Sequence, residues 1–151
     1  MRRPSILALF WAAALTLPWP AHAQFTRLND AVKYRQAAFQ VLGTHAQRAG
    51  AMAKGEVPFD KPAAEANAAL IELLSRQLVH AFPPGSDMAP AKTKPEVWQD
   101  AAQFKIQFEQ FQSAASRLSL AARSSDANAF KTAFNAMAQT CKACHDSYRN
   151  R

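Results

Sequence analysis

The sequence predicts an all-α domain built as an antiparallel four-helix bundle, and three observations carry that expectation. Apolar residues recur at steps of three, four and seven along four separate stretches, the period of one helix face. Alternating runs of Val, Ile and Thr, the mark of half-buried strands, are missing, and only four glycines occur in 151 residues. Hydrophobic residues make up 49% of the chain and aromatic ones 10%, enough for one folded core at this length.

The chain opens with a segment outside that fold. Met1 to Arg3 carry positive charge, Ile6 to Leu17 form an apolar run, and Ala21-His22-Ala23 has the small-x-small pattern of a cleavage site. Residues 1–23 therefore read as a secretory signal cut before Gln24, with 24–151 as the mature domain. The apolar run falls short of the ~20 residues a bilayer span needs and ends in Pro18 and Pro20, so no membrane association is expected after cleavage.

Helix one is expected from Asp30, as N-cap, to the stop at Gly55, with Leu28, Val32, Phe39, Leu42, Ala46, Ala49 and Ala53 on its apolar face. Asp60 caps helix two, Pro62 sits in its first turn, and Leu70, Ile71, Leu74, Leu78 and Ala81 mark its buried side. Pro83-Pro84-Gly85 ends it. The proline-rich segment from Pro83 to Lys94 then crosses one end of the bundle. Pro95 opens helix three, broken near Trp98 to Asp100 and striped by Val97, Ala101, Phe104, Phe108, Phe111, Ala115, Leu118 and Ala122. Asp126 caps helix four, where Phe130, Phe134, Met137, Cys141, Cys144 and Tyr148 share one face.

That last stripe carries the chemistry. Cys141 and Cys144 are the two cysteines of the chain, and His145 follows directly. Cys-x-x-Cys-His is the attachment signal for c-type haem: each thiol adds across one vinyl group and the histidine supplies its imidazole to the iron. Residues three apart on a helix are neighbours, so both sulfurs reach the porphyrin edge from one face. Three rivals are weaker. A redox pair belongs at a helix N-terminus in a fold with strands. A zinc site would need further ligands, and His45 and His80 stand alone, read as bundle-edge histidines. A disulfide closing so short a loop would stabilise little. Lys142, Ala143 and Tyr148 read as surface or packing positions.

Four segments together, Asp30 to Phe39, Lys54 to Asp60, Lys94 to Lys105 and Cys141 to Arg149, give the mature chain a resemblance to the cytochrome c prime family. The resemblance implies an exported, periplasmic, left-handed bundle, usually a homodimer, with one covalent haem c near one end and a five-coordinate high-spin iron. It implies that Phe39 covers the distal face, that Arg35 and Gln36 hold the haem propionates, and that Arg149 lies beside the proximal histidine. Phe82 and residues near Thr93 are candidates to border the ring. Small residues of helix one, Ala38, Gly43, Ala46 and Ala53, are expected to pack closely against a second copy or against helix two.

An apolar residue at position 39 has no lone pair for iron, and Met52 is about 20 Å further along the helix at 1.5 Å per residue. The site is therefore expected to bind NO and CO and to take part in electron transfer with a partner protein. The alternative is a six-coordinate, low-spin electron carrier of the same family. An enzyme is not expected, since a phenylalanine offers no proton for O–O cleavage. Loss of Arg2 and Arg3 removes two charges from the formal +7 and leaves a mildly basic chain. Its cations are scattered rather than interleaved with aromatics, which argues against nucleic acid and leaves an acidic protein as the class of partner.

Overall fold

The computed structural model describes residues 25–88 and 90–150, and the signal segment read in the sequence lies outside them. Its order is α1 (Leu28–Lys54), α2 (Lys61–Leu78), a single 3-10 turn at Val79–Ala81, the short α3 (Glu96–Gln99), α4 (Ala101–Arg123) and α5 (Ala127–Tyr148). The four long helices form the bundle: α1 packs on α2 and α5, and α4 packs on the same two. Cross-links between helices run antiparallel. His45 meets Asn67 at 2.8 Å between α1 and α2, and Gln112 donates to the Ser75 carbonyl at 3.2 Å between α4 and α2.

Caps set the boundaries much as the sequence predicts. Asp60 accepts from the Ala63 amide at 2.7 Å, and Asp126 accepts from the amides of Asn128 and Ala129. Each satisfies amides that the first helical turn leaves unpaired. Gly55 takes a left-handed conformation, φ 75°, and its amide bonds back to α1, a position that glycine fills without steric cost. The expected break falls at Asp100, which ends α3 and caps α4.

Four expectations need correction. Arg27, not Asp30, is the N-cap of α1; Asp30 sits in the first turn, where Arg27 Nε donates to it at 2.9 Å and the helix dipole favours a carboxylate. Leu28 lies in that terminal turn and is largely exposed. Leu70 is 38% exposed because its neighbour Ile71 takes the core-facing position, and adjacent residues cannot share one helix face. Ala101, directly after the break, also faces out. The core is otherwise the predicted one: Phe104, Phe108, Phe111 and Leu118 of α4 meet Phe130, Phe134 and Met137 of α5, Ile71 and Leu78 of α2, and Leu42 and Met52 of α1. Each such side chain contributes roughly 1.5–3 kcal/mol on burial.

The segment between α2 and α3 is tied down at three places. Trp98 Nε1 donates to the carbonyls of Phe82 and Pro83, both at 3.1 Å. Arg35 reaches the same stretch from α1, as described below. At the other end, Thr93 and Arg149 form an isolated antiparallel bridge, with the Lys94 amide on the Tyr148 carbonyl at 3.0 Å and the Asn150 amide on the Lys92 carbonyl at 2.9 Å. This clasp fixes residues 92–94 against the end of α5.

Candidate cofactor site

Below the clasp, a cavity of about 510 Å³ opens between α1, α4, α5 and the 82–93 segment. Its α5 wall is built by helical spacing: Thr140, Cys141, Cys144 and Tyr148 continue the buried line of Phe134 and Met137, and His145 stands at the edge. The α1 wall comes from Arg35, Gln36, Phe39, Gln40, Leu42 and Gly43. Phe104, Phe108 and Phe111 of α4 form the floor, while Phe82 and residues 90–93 close the side. All seven site residues expected from the sequence, Arg35, Gln36, Phe39, Cys141, Cys144, His145 and Arg149, therefore border one space.

The aromatic packing is continuous. Phe82 meets Phe39 edge-on at 6.3 Å and Phe104 at 5.0 Å, and Phe104 meets Tyr148 at 5.2 Å. Tyr148 is thus a wall residue rather than packing alone. Phe39 is half-buried, with its ring on the cavity.

Arg35 is 3% exposed and richly bonded. Its Nη1 donates to the Ala81 carbonyl at 2.8 Å and to Ser86 Oγ at 3.0 Å, and its Nη2 donates to the Ser86 carbonyl at 2.7 Å. The guanidinium also lies 4.7 Å from the centre of the Phe82 ring, a cation–π contact. Burial lowers its pKa, yet an arginine keeps its charge. Three of its five N–H donors are engaged in these bonds. Gln36 is steered by the Pro90 carbonyl at 3.3 Å. The Ala81 and Ser86 partners were invisible in the sequence, because nothing in a proline-rich loop announces which carbonyls will turn inward.

In the polypeptide, burial pushes both thiols up, Cys144 to about 11. Partial burial and the nearby Arg149 charge lower the His145 pKa, partly offset by Asp146. A neutral imidazole is the form that binds a metal. The volume lies within the roughly 300–1,000 Å³ of cofactor pockets, and the walls are mainly apolar with a few polar groups at the rim. Two thiols, one imidazole and this shape fit a haem.

A family model for cytochrome c' matches residues 30–149. The chain belongs to the cytochrome c' family. Cytochrome c' of Rubrivivax gelatinosus is 39% identical over 129 residues, covering 85% of this chain and all of the relative. Its crystal structure superposes with a TM-score of 0.81 over 84% of this chain and all of that one, at 39% identity. The nitric oxide complex of a cytochrome c prime variant from Alcaligenes xylosoxidans gives 0.79 at 38% identity, over 85% of this chain and 99% of that one. Cytochromes c' are haem c proteins of four-helix-bundle fold, and here Cys141 and Cys144 form the covalent attachment.

Among the described residues, no helix is long and apolar enough to cross a membrane. Within this cytochrome c' bundle Phe82 and Thr93 do border the cavity. Ala38 and Ala53 are buried inside the chain's own bundle, so they are not available to a second copy.

Proposed function

We propose that the chain is a periplasmic haem protein with a five-coordinate, high-spin iron that binds NO and CO and takes part in electron transfer. One observation carries this reading: the α5 wall supplies the thiols and His145, while the α1 wall presents Phe39 and, among the described lining residues, no thioether. Haem, when bound, supplies a vacant coordination position and a one-electron couple. The chain's residues decide what reaches it. Phe39 and Phe82 exclude water and poorly desolvated anions, which favours small neutral ligands. Arg35 is held by three carbonyl and hydroxyl contacts, so it is a fixed cation at the cavity wall that would pair with a haem propionate rather than with a bound gas. Gln36 assists at the rim, and Arg149 keeps positive charge beside His145.

With no carboxylate or histidine among the described α1 lining residues to deliver a proton, binding and electron exchange suit the site better than turnover. A homodimer is part of the proposal. Val41 of α1 and Leu70 and Leu73 of α2 are exposed apolar side chains suited to a second copy. Visible absorption and spin-state spectroscopy of the ferrous protein, with and without NO and CO, tests the reading. A high-spin spectrum that responds to both gases is expected. A low-spin spectrum indifferent to CO would replace it with a six-coordinate electron carrier.

A further inference from the structure

Beside the haem cavity lies a second concavity of about 740 Å³, at the C-terminal end of α5. Lys92, His145 and Arg149 border both spaces. Lys94 and Lys142 complete the basic wall, so four cationic side chains converge around the histidine with Asp146 as the one carboxylate among the described lining residues. That carboxylate is paired with Lys142, and the Asp146 carbonyl accepts from Lys94 Nζ at 2.9 Å. The 92–94 backbone is fixed by its clasp, and Lys94 and Lys142 are held on Asp146, so part of the basic wall is ordered before any partner arrives.

We infer that this concave basic face is the docking surface for a carboxylate-rich, one-electron donor protein. The inference rests on the haem reading above. Three observations select the partner. The face is strongly positive, so carboxylates are steered to it, and Arg149 can take one bidentately. It is recessed, so protruding side chains enter it where a flat bilayer surface does not. Among its described lining residues there is no Phe, Tyr or Trp, so the row of stacking rings a nucleic acid strand uses is missing. Docking here places the donor against the edge that carries His145. The donor is oxidised by one electron and ferric iron is reduced to ferrous; no bond forms or breaks and no proton moves.

The test uses the haem-loaded protein and two probes, a fluorescently labelled polyglutamate peptide and a reduced acidic ferredoxin. Wild type should bind both, more weakly as salt rises. Lys94→Gln combined with Lys142→Gln should weaken peptide binding and slow second-order reduction, each at least about tenfold, and the corresponding glutamates should do more. Lys131→Gln, near the other end of α5, should change either by less than about twofold. Equal losses in the Lys131 variant, or none in the paired variant, would overturn the inference. So would tight binding to phosphatidylglycerol vesicles that the paired variant abolishes while ferredoxin reduction stays unchanged. Peptide binding reads the face alone, whereas missing haem absorbance or CO response would count against the haem reading instead.

Discussion

At the scale of single residues, Phe39 and Arg35 do opposite jobs on the same helix. Phe39 is half-buried against Phe82, and in the function proposed above its ring is the obstacle a gas ligand would displace. Phe39→Ala should speed CO binding to the ferrous protein by an order of magnitude or more, seen by stopped-flow absorption, while lowering stability by about 2 kcal/mol, less than a fully buried Phe→Ala change costs. Arg35 is structural as well as polar. Arg35→Ala strands the Ala81 carbonyl and both Ser86 acceptors in a buried place, and should cost about 3–5 kcal/mol in urea unfolding. Arg35→Lys should recover only part, since a lysine cannot hold three acceptors in one plane. That Phe39 borders the cavity was legible in the sequence from helical phase and resemblance. The commitment of Arg35 to the loop was not, because it depends on where residues 81–86 fold back, over forty positions away.

At the scale of elements, close packing and one acidic contact join the helices. Gly50 of α1 faces Phe134 of α5 so tightly that a Cβ there would lie 2.8 Å from Phe134 Cζ. Gly50→Ala should therefore destabilise by about 1–2 kcal/mol despite alanine's better helix propensity, and Gly50→Ala with Phe134→Leu should recover much of the loss in thermal unfolding. Glu72 of α2 accepts hydrogen bonds from Ser119 and Ser116 of α4 and from Arg76, which hold its pKa below the usual carboxylate value. The unfolded chain then takes up the proton first as pH falls. The stabilisation is complete above the ordinary carboxylate pKa and is lost as pH drops through the lowered folded value. Glu72→Gln should flatten the acid limb of a stability-against-pH curve in that window. The helices themselves were readable because caps and periodicity are local. Misplaced Leu70 and Ala101 show the limit: which of two neighbouring apolar positions faces inward depends on the partner helix, and a chain end or break shifts the phase.

At the scale of the whole molecule, exposed apolar side chains stand on α1 and α2 (Val41, Leu70, Leu73) and on α4 (Ile106, Leu120), and the basic concavity lies at the end of α5. If a second copy covers the apolar residues, sedimentation should show a dimer that Leu73→Glu dissociates, with the haem spectrum unchanged. The clasp between residues 92–94 and 148–150 joins stretches more than fifty positions apart in the chain, a closure that costs chain entropy. The thiols lie on the helix that this clasp seals. If haem reaches those thiols before the clasp forms, the clasp shuts behind it like a door. In hydrogen–deuterium exchange the amides of Lys94 and Asn150 should accordingly gain protection together, as one cooperative unit, and lose it together when haem attachment is prevented.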